Sequence, residues 1–387
     1  MEQINNAINK FAEKYNFKVM KDLGKGGYGY VKQIIIENQK RAGKLIERKN
    51  GRPNETDFIL DFKGPNIVKV NKIYQEKINN KNYDFIVMEE ADLKDLDSYI
   101  KKKLFNNKLN LIYMSPNKEV IGDNLLRFFA NQMLKGFEKL DRNDYTHFDI
   151  KPNNFLIFKN MVIKLADFGL LRSSKFEEKE QDKEKEQVKD KIPGGTRGYL
   201  TPEFYENEER KILKENMKKQ DYFALGATLF FTKYGENMLD YHEYKNDHLM
   251  TFDYIIDLLQ KAMDHIKSSI TSDNDFINFL CNLIQYKPEE RYNFEQIYRN
   301  KWINKNVEEI KEILDINQLD EDKLLIELNK SDYLIDKKNY LENYDKIKDI
   351  NNDSKIIDNV HSMNKKNEFI NRKNKFSFNR NKIRKKK

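Results

Sequence analysis

The sequence predicts an α+β chain in two lobes, a small β-rich lobe of about residues 17–89 and a larger α-helical lobe of about residues 90–303. Three observations carry this expectation. From Phe17 to Met88, apolar and polar residues alternate over short stretches broken by Gly and Asn, the period-two signature of strands. After Glu89 the apolar residues recur at helical spacing instead. Beyond Asn304 they thin out, so the chain is expected to end in a helical and then disordered tail, 304–387.

The elements follow in order. Ile4, Ile8 and Phe11 recur at helical spacing, so residues 1 to about 15 read as a short amphipathic helix in an extension of 1–16. Phe17–Leu23 is the start of a strand; Tyr30–Glu37, Gly43–Arg48, Val68–Gln75 and Phe85–Glu89 read as strands, with one helix near Asn54–Phe62 between them. Phe105–Gly122 is polar and reads as a loop. Asp123–Leu140 follows as a long helix, with Leu125, Leu126, Phe128, Phe129, Met133, Leu134 and Phe137 on one face. Asp221–Phe231 is apolar nearly all round, which implies burial on every side. Phe252–Ile270 and Asp273–Gln285 read as two further helices, and Val307–Leu328 as one or two. Lys175–Lys191 holds thirteen charged residues in seventeen and cannot bury a core; it is expected to be a mobile or solvated insert. Disorder is expected beyond about Ser354, and no internal repeat is evident.

Charge and cysteine content narrow the classes. The chain has 387 residues, 39% hydrophobic, and a formal net charge of +8. Residues 364–387 carry eleven Lys/Arg against one acid, Glu368, so the rest of the chain is close to neutral. The basicity therefore argues for no nucleic-acid-binding body. The tail, ending Arg384-Lys385-Lys386-Lys387, admits three readings: a solvated end, a nuclear address or acidic-partner patch, or a nucleic-acid contact with only Phe369, Phe376 and Phe378 interleaved. Cys281 sits among Phe279 and Leu280 and reads as a buried small hydrophobe; one cysteine allows no internal disulfide. The N-terminus lacks a signal-like apolar run, and the longest apolar stretch, near Tyr222–Phe231, is far short of the roughly 20 residues a membrane span needs. An intracellular protein is expected, in the cytoplasm or, if the tail is an address, the nucleus.

Three strings carry the chemistry. The first is Leu23-Gly24-Lys25-Gly26-Gly27-Tyr28-Gly29-Tyr30-Val31. A Gly-rich string of this spacing also occurs in dinucleotide-binding folds, but there it opens a helix; here Ile34-Ile35-Ile36 follow, which favours a hairpin. Glycines let backbone close over phosphates with no Cβ in the way. The second is His147-Phe148-Asp149-Ile150-Lys151-Pro152-Asn153-Asn154, and the third Asp167-Phe168-Gly169, eighteen residues after Asp149. In this order and spacing the three resemble a eukaryotic protein kinase domain of the serine/threonine type, over about residues 17–303.

That resemblance implies ATP and Mg²⁺ as cofactors and protein Ser/Thr hydroxyls as substrates. Asp149 is implied to orient or accept the proton of the substrate hydroxyl, Lys151 to neutralise the γ-phosphate, and Asn154 and Asp167 to hold the metal through oxygen. Lys44, two residues after Ala42, is implied to contact the α- and β-phosphates. Its partner is implied to be Glu55, with Glu47 and Asp57 as alternatives. Val31, Ala42, Met88 and Leu156 would border the adenine, the backbone of Glu89 and Ala91 would hydrogen-bond it, and Asp95 would meet the ribose, unless Asp95 merely starts a helix. His147 reads as structural. Gly195-Thr196-Arg197-Gly198-Tyr199-Leu200-Thr201-Pro202-Glu203 resembles the end of the activation segment, Arg291 the partner of Glu203, and Asp221 with Gly226 the helix that anchors the catalytic loop. A nucleotide-binding scaffold without transfer is the competing reading.

One departure is informative. Phe148 stands where the family usually has an arginine that pairs with a phosphorylated activation loop, and Lys175–Gly195 contains no Ser, Thr or Tyr. Both halves of that switch are missing together, so activity is expected not to depend on phosphorylation there. No regulatory partner can be named from the sequence.

Overall fold

Alternating side chains along five strands build one antiparallel sheet in the computed structural model of the chain, with order β1-β2-β3-β5-β4. The structure describes residues 2–304 apart from 27–28, 49–54, 58, 61, 110–119, 175–188, 192, 207–210, 214–215, 239–258, 262, 265–266 and 268–273. The strands are β1 (Lys18–Gly26), β2 (Gly29–Ile36), β3 (Gln39–Glu47), β4 (Val70–Ile78) and β5 (Lys81–Met88). Expected and observed strands agree in number and order, but β3 and β5 each begin four residues before the expected Gly43 and Phe85. The chain divides into units 1–319 and 320–387; the second lies outside the described residues, as do the expectations for Val307–Leu328 and the tail.

The two faces of the sheet bury different things. On β5, Tyr83, Phe85 and Val87 face one way and join Ile34, Ile36 and Leu45 in a core closed by helix α1 (Glu2–Tyr15). Ala7, Ile8 and Phe11 of α1 are the buried positions, and Phe11 stacks on Phe85 at 5.4 Å. Phe85 in turn requires Gly43: a Cβ there would lie 2.4 Å from the Phe85 ring. The other face carries Ala42, Ile86 and Met88 toward the second lobe.

The second lobe is helical. It holds α2 (Leu96–Leu109), α3 (Asp123–Arg142) and the helices Met217–Tyr234, Asn274–Leu283 and Phe294–Tyr298. Its short strand pairs are β6 (Tyr145–Thr146) with β9 (Arg172–Ser173), and β7 (Phe155–Ile157) with β8 (Ile163–Leu165). Backbone bonds join the lobes: Val68 N–H donates to Leu165 O at 2.9 Å, and Leu165 N–H to Asn66 O at 2.9 Å. A buried amide network of Asn66, Gln132 and the backbone of Ile163 reinforces that junction.

Two expectations need correction. Asn54–Phe62 was expected to be a helix; among its described residues there is one 3₁₀ turn, Glu55–Asp57, then a turn at Ile59–Leu60. The window has no alanine and includes Thr56, Asp57 and Ile59, poor helix formers, and two side chains of the turn are pinned elsewhere. Phe105–Gly122 was expected to be a loop, but α2, begun at Leu96, carries on through Asn106 and Asn107 to Leu109. Residues 110–119 lie outside the described part. So does most of Phe252–Ile270 and of the charged insert, of which Lys189–Lys191 forms β10, paired with β11 (Lys211–Leu213).

Two measurements test this packing. Phe11 is fully buried, so Phe11→Ala is expected to lower unfolding free energy by about 3–5 kcal/mol in urea denaturation. Arg291 donates to both oxygens of Glu203 at 2.8 and 2.7 Å and is 1% exposed. Arg291→Ala leaves the Glu203 carboxylate buried without its counter-charge and is expected to cost about 3–5 kcal/mol. A cost below 1 kcal/mol for either would mean the site is not packed as described.

Candidate active site

Lys44 is brought into the site by register. On β3 it lies opposite Ile86 of β5 and Val31 of β2, facing the second lobe. Its ammonium sits 2.5 Å from Glu55 Oε2 and 2.7 Å from Asp167 Oδ1, and it is 5% exposed. Glu55 is thus the partner; Glu47 instead pairs with Lys81 on the outside of the sheet. Burial works against the Lys44 charge, but the two carboxylates outweigh it and hold its pKa above the ordinary lysine range. Burial also works to raise Asp167, yet Lys44 prevails and its pKa is lowered; on Glu55 burial prevails and the pKa is raised.

Glu55 has a second task. Its other oxygen accepts from the Phe168 backbone N–H at 3.3 Å. Phe168 is buried against Phe62, stacked at 5.7 Å, and against His147 at 5.2 Å. The string Asp167-Phe168-Gly169 therefore has its ring in the core and its carboxylate at Lys44. Asp167 is left-handed at φ 62°, a conformation that costs a non-glycine residue and persists only where its surroundings impose it.

The loop bearing Asp149 hangs from a buried helix. Asp221, in Met217–Tyr234, accepts the backbone N–H of His147 on one oxygen (2.6 Å) and that of Phe148 on the other (2.9 Å). Burial pushes Asp221 up to about 7 against the opposing pull of those two amides. They fix Phe148 at φ 63°, so the turn into Asp149 is held rather than merely allowed. The His147 ring accepts from Asp149 N–H at Nδ1 (3.3 Å) and meets Ala166 O at Nε2 (3.2 Å). Burial lowers its pKa, and both contacts suit the neutral ring protonated at Nε2, a structural role.

Around Asp149 the polar groups close into a ring. Lys151 Nζ donates to Asp149 Oδ2 at 2.8 Å and to Thr196 Oγ1 at 2.7 Å; Thr196 Oγ1 donates to Asp149 Oδ1 at 2.7 Å. Asn154 Nδ2 donates to Asp149 O and Oδ2 at 2.7 and 3.2 Å. With the amide nitrogen committed, the Asn154 side-chain oxygen is its remaining donor atom for a hard cation. Asn154 and Asp167 are adjacent through Ala166, whose N–H donates to Asn154 O. Among the described residues no group of three or more acidic, His or Cys side chains forms a metal cage. A cation held by Asn154 and Asp167 would take its other ligands from phosphate and water, as Mg²⁺ does.

The sheet supplies the remaining walls. Gly24 and Gly26 lie on β1 and Gly29 opens β2, with Gly26 paired to Gly29; Gly27 and Tyr28 lie outside the described residues. A Cβ at Gly29 would stand 2.7 Å from Leu45 O and 3.3 Å from the Lys44 side chain, so only glycine lets the hairpin lie so close to that lysine. Leu23 is exposed beside them; Lys25 pairs with Tyr30, which also lies opposite Leu45. Val31, Ala42, Met88, Ala91 and Leu156 come together in one apolar cluster, with Val31, Ala91 and Leu156 only partly buried at its rim. Glu89 follows Met88, and its carboxylate accepts from Lys69 N–H at 2.6 Å and from Lys164 at 2.8 Å. Asp95 caps α2: its two oxygens accept the backbone N–H and hydroxyl of Ser98, at 2.8 and 3.0 Å.

Phe148 is 7% exposed and packs with Leu170, Met217 and Phe204. Sequence reasoning missed the grip of Thr196 on Asp149, although the string Gly195-Thr196 was in view. It also missed Thr56 and Asp84, for which the only signal was a lone acid inside the apolar strand Tyr83–Met88.

Known proteins are similar to this chain over about three quarters of its length. The model of the protein kinase domain family matches residues 17–303. Serine/threonine-protein kinase TOS3 of Saccharomyces cerevisiae is 25% identical over 306 residues, 73% of this chain and 52% of that protein. NUAK family SNF1-like kinase 1 of Homo sapiens is 22% identical over 307 residues, 75% and 39%. Serine/threonine-protein kinase PLK4 of Drosophila virilis is 23% identical over 304 residues, 75% and 33%. The match spans about half the length of the first of these relatives and less of the others. On its motifs, its fold and these matches, the chain belongs to the eukaryotic protein kinase superfamily, serine/threonine type.

Proposed function

We propose that this chain is a serine/threonine protein kinase, transferring the γ-phosphoryl group of ATP to protein hydroxyls. The observation that carries the reading is the closed ring of Asp149, Lys151 and Thr196, with Asn154 bonded to Asp149, beside the Lys44–Glu55–Asp167 cluster. Bound ATP–Mg²⁺ supplies the phosphoryl group and neutralises the charge on its oxygens. The chain's own residues do the rest. Lys44 binds the α- and β-phosphates, kept charged and fixed by its two carboxylates. Leu23, Gly24, Lys25, Gly26, Gly27, Tyr28, Gly29 and Tyr30 cover the phosphates. Val31, Ala42, Met88 and Leu156 hold the base apolar, with the backbone of Glu89 and Ala91 at its edge. Asp95 serves the ribose through the acceptor capacity its cap leaves. Asn154 and Asp167 hold the metal.

Asp149 already accepts a hydrogen bond from one hydroxyl, that of Thr196. A substrate hydroxyl that takes up this position presents its oxygen in line and gives its proton to the same carboxylate. Lys151, bonded to both Asp149 and Thr196, places a positive charge where negative charge grows on the transferred group.

Independence from activation-loop phosphorylation belongs to the same proposal. Phe148 is committed to an apolar cluster, which has no use for a phosphate. Two of the nearby hydroxyls are covered or engaged, Ser174 at 8% exposed and Thr196 bonded to Asp149, whereas Ser173 is exposed.

Transfer of labelled phosphate from ATP–Mg²⁺ to casein and myelin basic protein tests the function. Asp149→Ala is expected to lose about a hundred- to ten-thousand-fold in kcat. If wild type and variant both bind ATP and neither transfers phosphate, the protein is a nucleotide-binding scaffold instead. Phosphatase treatment of the active protein is expected to leave its rate unchanged. A stoichiometric phosphate on the activation segment, at Ser173, Ser174 or Thr196, with activity lost on its removal, would refute the regulatory part.

A further inference from the structure

We infer that Thr56 and Asp84 are positioning residues for the site: together they clamp the Glu55–Asp57 turn to the sheet and so hold Glu55 on Lys44. The inference rests on the kinase reading for its consequence in rate, and on geometry alone for the clamp itself.

The geometry is a two-point attachment. Register places Lys44 opposite Ile86 and Ile46 opposite Asp84, so Lys44 on β3 and Asp84 on β5 lie on the same face, one cross-strand pair apart. The turn presents consecutive side chains to those two positions. Glu55 reaches Lys44 at 2.5 Å, and Thr56 Oγ1 donates to Asp84 Oδ2 at 2.5 Å. Both ends are buried: Glu55 is 4%, Thr56 8% and Asp84 0% exposed. Arg48 Nε, 3.3 Å from the same Asp84 oxygen, sets a positive charge beside it. The other Asp84 oxygen has no hydrogen-bond partner among the described residues. An acid in the middle of Tyr83–Met88 is costly to bury, and packing alone would be served better by an apolar residue. What the acid holds is Thr56, with Arg48 beside it.

The arrangement matters because the turn is short: among its described residues Glu55 is held by Lys44 and the Phe168 N–H, Ile59 is buried, and Thr56 is tied to the sheet through Asp84. Its described part is one 3₁₀ turn, closed by Ile59 N–H to Glu55 O at 3.0 Å. A single turn does not orient two side chains by its own stability. Freed of Asp84, the turn can rotate and draw Glu55 away from both Lys44 and the Phe168 amide. The Lys44–Asp167 contact would then lack its third member.

Thr56→Val tests this with the shape of the side chain kept and the hydroxyl removed; Asp84 itself is a poorer target, since replacing it also strands Arg48. The variant is expected to lower kcat about ten- to a hundredfold, the equivalent of one hydrogen bond to a charged group. KM for the protein substrate is expected to stay the same, and Thr56→Ser to restore the rate. In a Glu55→Gln background, Thr56→Val is expected to add less than about twofold, because the group it positions is already gone. A readout independent of transfer is acylation of Lys44 by an N-hydroxysuccinimide ester in nucleotide-free protein, quantified by mass spectrometry. Labelling of Lys44 is expected to rise in Thr56→Val and return to the wild-type level in Thr56→Ser. Equal loss of rate with and without Glu55, or Lys44 labelling unchanged by Thr56→Val, would overturn the clamp. Should the wild type transfer no phosphate, the labelling arm decides alone: a rise keeps the clamp while the catalytic reading falls, and no rise removes both.

Discussion

One ammonium held between two carboxylates is the interaction on which the rest of this site depends. Lys44, Glu55 and Asp167 come from a strand, a single turn and the segment after β8, more than a hundred residues apart at the extremes. Stripping each ion of water costs several kcal/mol. Their attraction returns about 4 kcal/mol per pair at 4 Å and an effective dielectric of 20. Terms of this size nearly cancel, so the cluster adds little net stability. What it adds is position, since an ammonium that leaves either carboxylate strands a buried charge.

The surrounding fold reads as support for that position. The sheet presents Lys44 by register, and α1 backs the opposite face through Phe11, Phe85 and Gly43. Glu55 ties the lysine to the Phe168 backbone. On the other side of the cleft, Asp221 suspends the Asp149 loop by two backbone amides, and Arg291 with Glu203 secures the segment that brings Thr196 to Asp149. Two left-handed residues, Phe148 and Asp167, sit where these supports converge. The strain is local, and the hydrogen bonds around it are what keep it in place.

The sequence was most legible where chemistry restricts side chains within a short string. Asp149, Lys151 and Asn154 lie within six residues, and Asp167 follows at a fixed interval, so their convergence could be anticipated; Glu203 with Arg291 could be too. Local rules failed where tertiary contacts decided. The described part of the Glu55 segment is one turn: its poor helix formers disfavour a helix, and Lys44 and Asp84 hold its side chains, a tertiary constraint that no local rule expresses. Asp84 carried a signal, a lone acid in an apolar strand, but its partner Thr56 lies twenty-eight residues away and shares no motif with it. The α1 helix was visible from its apolar spacing, whereas its docking on Phe85 was not. Phe148 was readable as a missing arginine; that it fills an apolar cluster with Leu170, Met217 and Phe204 took the structure to see.

The proposed function requires that the carboxylate oxygens of Asp167 and the amide oxygen of Asn154, beside Lys44, hold nucleotide and metal together. Calorimetric titration of ATP in Mg²⁺ and in EDTA, for the wild type and Asp167→Asn, tests it most directly. ATP is expected to bind more tightly with Mg²⁺ in the wild type, and the variant is expected to lose that difference. Equal affinity with and without Mg²⁺ in the wild type, or a metal effect undiminished by Asp167→Asn, would contradict it.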